Sequence, residues 1–182
     1  MFEGGWLVSG DLGHIGADGR VHITGRAKDL IIRGSHNIDP ALVEEAFLAH
    51  PAVALCAVVG EPDAHAGELP VAFVTLKPGA AIDASDLLAE VAPHVYERPA
   101  TPKRLSIIEA MPVTAVGKIY KPALRVQAAQ TKLQELLSTV AQAQGGVTLA
   151  QVNVSAPFNP ALEEKLRGAL GAIALAVELR WA

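Results

Sequence analysis

The residues in this sequence best suited to chemistry are a loop lysine, Lys118, and the cations Arg26, Lys28 and Arg33 that precede a glycine turn at Gly34. Lys118 stands in the stretch PVTAVGKI, where Pro112, Thr114 and Gly117 oppose a regular helix and predict a flexible loop. Lysine is a compact positive charge on a long stem. Held against oxygens that gain negative charge in a transition state, and away from bulk water, it lowers the barrier by charge stabilisation. A loop lysine standing alone is ordinarily solvated and idle.

The second group lies in GRAKDLIIRGSHNIDP, from Gly25 to Pro40. Leu30, Ile31 and Ile32 form an apolar run bounded by charge before and by Gly34 after. That pattern predicts a short strand ending in a backbone-exposing turn. Such a turn can present main-chain amides and cations to an anionic ligand. The plain alternative is a solvated β-turn with incidental charges.

Other chemistries have little support. The histidines, His14, His22, His36, His50, His65 and His94, are scattered and show no zinc-ligand spacing. Ser9 sits in a Val-Ser-Gly bend without a nucleophile-elbow pattern. Cys56 is the sole cysteine and lies in an apolar run, which suits core packing better than nucleophilic work. A net charge of −4 without a clustered Lys/Arg face argues against nucleic acid as the main partner. No apolar run approaches the roughly 20 residues of a membrane-spanning helix, and Met1 to Gly5 lacks the pattern of a secretory signal. The expectation is a soluble, cytoplasmic protein.

Together with Ser9-Gly10-Asp11-Leu12, the two charged stretches resemble the carboxy-terminal end of the adenylate-forming superfamily, with acyl-CoA synthetases nearest. The three motifs stand in family order and at family-like spacing over roughly residues 3 to 125. The resemblance implies that Lys118 is the lysine of the adenylation step. Asp11 resembles the aspartate that accepts hydrogen bonds from the ATP ribose hydroxyls, as acceptor-only oxygens suit a vicinal diol; capping of the turn after Gly10 is its other reading. Arg26 resembles a residue that holds the nucleotide, with an ion pair to Asp29 or another carboxylate as the alternative. Lys28 falls at the family hinge, where backbone torsions change and side-chain size matters little. Ile32, Arg33 and Gly34 resemble the loop that lines the pantetheine tunnel, with Arg33 near a CoA phosphate. The loop from Glu61 to Glu68 reads as mainly structural. ATP and CoA are the implied substrates, a fatty acid the implied acid, and Mg2+ would arrive with ATP and be held mostly elsewhere.

The elements that must position these residues read as follows. Residues 6 to 24 suggest a β-hairpin, bent at Gly10-Asp11 and turned at Asp18-Gly19. From Leu30 the order is strand, helix, strand, strand, helix, strand, which predicts an α/β (α+β) domain of two-layer, ferredoxin-like βαββαβ form. Asp39 and Pro40 open the first helix, Val53 to Val59 and Val71 to Leu76 suit buried strands, and a second helix follows Asp83. Arg104 to Ile108 completes the set. Val126 to Gln144 predicts a long helix stopped by Gly145-Gly146, followed by a strand to Val154, a helix from Asn159 to about Leu170, and a strand from Ile173 to Trp181.

This divides the chain into residues 1–27, a hairpin tail of a large domain that the resemblance places upstream; 28–125, the lid; and 126–182, an αβαβ extension without an assigned role. The expectation is therefore a piece of an enzyme, inactive alone, whose partners are its own large domain, a carboxylic acid, ATP and CoA. Two rival readings remain at this level: a non-catalytic α/β binding module, and the lid of an adenylation domain that loads a carrier protein.

Overall fold

The computed structural model describes residues 2–143, 149–154 and 176–181, together with Pro160, Glu164 and Arg167. By internal contacts the chain divides into Met1–Ala128 and Ala129–Ala182. In the first unit, β1 (Phe2–Glu3) and β2 (Trp6–Leu7) make a small antiparallel hairpin, and β3 (Asp11–Ile15) and β4 (Val21–Arg26) make another. One hairpin over residues 6–24 is thus replaced by two. Gly4-Gly5 already folds Trp6 back onto Glu3, so the segment before Gly10 finds its partner upstream. The turn expected at Asp18-Gly19 is present, with the Asp18 carboxylate accepting from the Arg20 amide at 3.1 Å.

A 3-10 turn at Ala27–Asp29 leads into β5 (Ile31–Arg33), β6 (His36–Ile38), α1 (Pro40–Leu48), β7 (Val53–Asp63), β8 (Gly67–Leu76), α2 (Ala84–Val91), β9 (Arg104–Ile107) and α3 (Lys121–Ala143). Helix α1 begins where the sequence places it: Asp39 Oδ1 accepts from the Ala41 amide at 2.9 Å, and Pro40 occupies the first position, where its missing N–H costs nothing. Val43 and Phe47, four residues apart, bury one helix face completely. Strands β7 and β8 run past their apolar stretches, pairing Glu61 with Leu69 and Asp63 with Gly67. The polar loop between them shrinks to Ala64–Ala66. Glu61 remains in the sheet, almost fully buried, because Arg104 on β9 pairs with its carboxylate.

The α/β class and the βαββαβ order are as expected, with β6 added. The pairing departs from a regular ferredoxin-like sheet. There the strand from one βαβ unit separates the two parallel strands of the other; here β9 lies directly beside β8, parallel, from Val71↔Arg104 to Val74↔Ile107. Strand β5 meets β8 at Arg33↔Gly67 alone. Its three residues end in the Gly34 turn and fold back onto β6, leaving that edge of β8 to β9.

The sheet is covered on both faces, one layer more than expected. Cys56, Val58, Ala72 and Val74 pack with Val43 and Phe47 of α1 and Leu87 and Val91 of α2. On the opposite face Ala57, Val59, Val71 and Phe73 pack with Met111, Leu124 and Ala128. Continuous apolar strands are the signature of a sheet buried on both sides. The first turns of α3 supply that second cover, and Lys121 Nζ pairs with Glu44 of α1 at 2.8 Å.

In the second unit, β10 (Leu149–Val154) and β11 (Ala176–Trp181) pair in parallel from Leu149↔Ala176 to Val154↔Trp181. Parallel neighbours need a crossover. The helix expected from Asn159 to Leu170 lies outside the described residues apart from Pro160, Glu164 and Arg167, whose backbone is helical. The stop at Gly145-Gly146 lies outside them as well.

Candidate functional site

Lys118 sits on a closed hairpin rather than a loose segment. Val113 bridges to Ile119, the Thr114 amide donates to the Lys118 carbonyl at 2.7 Å, and the Tyr120 amide donates to the Pro112 carbonyl at 2.8 Å. The Lys118 amide donates in turn to Thr114 Oγ1 at 3.2 Å. Gly117 takes φ +78°, a left-handed turn position that suits glycine. The backbone at Lys118 is therefore tightly held, while its side chain is exposed and forms no ion pair with another described residue.

Asp11 and Arg26, the two candidates for the nucleotide, face each other across the β3–β4 register. Arg26 Nε donates to Asp11 Oδ1 at 2.9 Å, and the Asp11 amide donates to Ser9 Oγ at 3.2 Å. Of the alternatives for Arg26, the carboxylate found is Asp11, not Asp29. Lys28 follows in the 3-10 turn with its side chain exposed. Its carbonyl accepts from Arg125 Nη2 at 2.9 Å, and the same guanidinium nitrogen stands 3.2 Å from Asp29 Oδ1.

The Ile32–Gly34 loop differs from expectation in one respect. The amides of Ile32 and Gly34 are not open to a ligand: the first donates to Glu68 Oε2 at 3.0 Å, the second to the Ala66 carbonyl at 2.7 Å. The nearby β7–β8 turn consumes them, an arrangement no local sequence window shows. Gly34 itself has φ +58° and open space where a side chain would stand. The Arg33 guanidinium is half-buried and donates to the Pro99 carbonyl. Beside it opens a cleft of about 520 Å³, also lined by Arg98, Thr101 and Lys103.

Fold, loop and lysine together meet one family. Residues 42–118 match the profile of the AMP-binding enzyme C-terminal domain. Residues 42–118 therefore carry an AMP-binding enzyme C-terminal domain. The chain is 45% identical over 138 residues to the marinolic acid–CoA ligase of Pseudoalteromonas sp. (strain SANK 73390), covering 76% of this chain and 21% of that protein. It is 41% identical over 125 residues to the long-chain-fatty-acid–CoA ligase of Bacillus subtilis (strain 168), covering 66% and 21%. Among solved structures, ATP-bound MatB from Rhodopseudomonas palustris superposes with a TM-score of 0.61 at 36% identity, over 66% of this chain and 24% of that one. The chain thus spans about a fifth of the length of these curated relatives.

Two supporting residues, Glu68 inside the matched stretch and Arg125 beyond it, carry no signal in the local sequence. Glu68, in a loop that reads as structural, holds the Ile32 amide, and Arg125 grips the turn at Lys28. Their partners lie 36 and 97 positions away, beyond any periodicity signal. Cys56 is buried, and burial, with Glu44 nearby, pushes its thiol above the ordinary range. Among the described residues no group of three His, Cys, Asp or Glu is placed to hold a metal ion, and no helix is long and apolar enough to cross a membrane.

Proposed function

We propose that this chain supplies the mobile carboxy-terminal lid of an ATP-dependent acyl-CoA synthetase acting on a fatty acid. In the first half-reaction the acid's carboxylate oxygen attacks the α-phosphorus of ATP, and the bond to pyrophosphate breaks, giving acyl-AMP. In the second, the CoA sulfur attacks the acyl carbonyl and AMP leaves. Lys118 stabilises the negative charge that builds on the α-phosphate and carboxylate oxygens in the first step. Asp11 receives the ribose hydroxyls and Arg26 assists at the nucleotide; Asp11 keeps lone pairs beyond the one that Arg26 occupies. Mg2+ accompanies the ATP phosphates and is coordinated mainly by the large domain.

The lid turns about Lys28 between the two steps, and the Ile32–Gly34 loop then borders the pantetheine arm. The cationic lining shared by Arg33, Arg98 and Lys103 supports a place there for CoA phosphates. Residues 1–27 belong functionally with the large domain, 28–125 form the lid, and 126–182 are an extension. The reaction is cytoplasmic and needs the large domain, so the chain alone turns nothing over. The observation that carries this reading is Lys118, exposed on a rigid hairpin at the end of the matched domain.

The test is a chimera in which the matching stretch of this chain replaces its counterpart in the Bacillus subtilis ligase. It should make acyl-CoA from long-chain acid, ATP and CoA. Lys118→Ala in that chimera should slow pyrophosphate release by about 100- to 1000-fold, the usual cost of one preorganised stabilising group. Preformed acyl-AMP should still react with CoA. Normal pyrophosphate release by the variant would remove Lys118 from the first step, and a preference for a carrier-protein thiol over CoA would reassign the acceptor.

A further inference from the structure

We propose that Arg125 is a positioning residue that marks the lid-side end of the hinge and confines rotation to the torsions of Ala27 and Lys28. This rests on the reading of Lys28 as the hinge, but the geometry that carries it is independent of any chemistry. On the hairpin side, the Ala27 amide donates to the Gly10 carbonyl at 2.9 Å, and Asp11 pairs with Arg26. The peptide between Arg26 and Ala27 therefore moves with β3 and β4. On the lid side, Arg125 Nη2 donates to the Lys28 carbonyl at 2.9 Å and meets the Asp29 carboxylate at 3.2 Å. The peptide between Lys28 and Asp29 therefore moves with α3.

Helix α3 is itself part of the lid at this point. Leu124 and Ala128, flanking Arg125, are fully buried against β7 and β8, and Lys121 is paired to α1. Only the φ and ψ angles of Ala27 and Lys28 lie between the two anchored peptides. A hinge gains definition when the chain on either side cannot flex. One guanidinium nitrogen meets both the carbonyl and the carboxylate, and the rigid planar group fixes its direction better than a lysine ammonium on a flexible stem would. Without it, the 3-10 turn has no described side-chain tie to the lid, and Asp29 and Leu30 join the mobile segment.

The clamp is testable on this chain by brief trypsin digestion with mass-spectrometric mapping, since the bond after Lys28 uses the carbonyl that Arg125 holds. Arg125→Ala should raise the initial rate of cleavage after Lys28 by about tenfold, the size of effect expected when local opening is no longer opposed by charge-assisted hydrogen bonds. Amide protection at Val58 and Phe73 should stay native. Arg125→Lys, which keeps the charge but lacks the planar guanidinium, should recover part of the protection. Unchanged cleavage after Lys28 in Arg125→Ala would overturn the proposal. Should that variant unfold, Arg125→Lys decides alone: faster cleavage with native Val58 protection supports the clamp, and wild-type cleavage overturns it. Separation of the half-reactions by Lys28→Pro tests the hinge itself, so the failure of either idea is visible without the other.

Discussion

At the scale of single residues, the site depends on contacts made by atoms far from any reacting group. Gly60 is an instance. A Cβ there would stand 2.7 Å from the Glu68 carboxyl carbon and a carboxylate oxygen, so the absence of a side chain is what leaves Glu68 room beneath Ile32. The atoms it would meet are the far end of a flexible side chain, and Glu68 can swing away more cheaply than the sheet can shift. Gly60→Ala should therefore cost little global stability, on the order of 1 kcal/mol, the worth of a typical net hydrogen bond. The Ile32 amide should exchange about tenfold faster once its acceptor is displaced. Hydrogen exchange at Ile32, with the melting temperature as control, checks this; native protection at Ile32 would show that Glu68 does not hold the loop.

At the scale of elements, the two hairpins and the central sheet differ sharply in what they bury. Trp6 is 80% exposed and Ile23 65%, whereas Val58, Val59, Val71 and Phe73 show no exposed surface. The hairpins' apolar side chains lack cover among the described residues, so their backbone hydrogen bonds open without breaching a core. Hydrogen exchange should find the amides of β3 and β4 less protected than those of β7 and β8 between Val53 and Leu76. Equal protection in a monomer would mean that the hairpin is an integral part of the domain, and the proposed boundary at residue 27 would have to move.

At the scale of the whole molecule, the decisive question is whether one orientation of the lid can serve both half-reactions. Arg26 and Ile32–Gly34 are assigned to different steps and lie on opposite sides of Lys28. Proline at position 28 fixes its own φ near −65° and disfavours helical torsions at the preceding residue. Ala27 has such torsions here, inside the 3-10 turn, so Lys28→Pro opposes the present orientation while leaving Lys118 and Gly34 chemically intact. In the chimera it should separate the half-reactions: one of pyrophosphate release and thioester formation persists while the other fails. Ala27→Gly, which loosens the same segment, should leave both measurable. A folded Lys28→Pro enzyme that loses both equally, or neither, would count against a hinge at this residue.

Much of this protein was legible from local signals. Asp39-Pro40 capped α1, the four-residue spacing of Val43 and Phe47 set its buried face, and the apolar runs around Val58 and Phe73 marked the core strands, because caps and periodicities act over one or two turns of chain. The motifs around Asp11, Gly34 and Lys118 also resemble the family whose profile matches residues 42–118. What needed tertiary structure was every decision made between distant segments. Strand β9 took the edge of β8 because β5 turned back at Gly34; α3 closed the second face of the sheet; Glu68 and Glu61 found Ile32 and Arg104. The amides of Ile32 and Gly34, open to a ligand in any local reading, were claimed by a hairpin turn more than 30 residues away in sequence. A buried donor or an ion pair is satisfied by whichever partner the fold brings near, and the order of residues along the chain does not carry that distance.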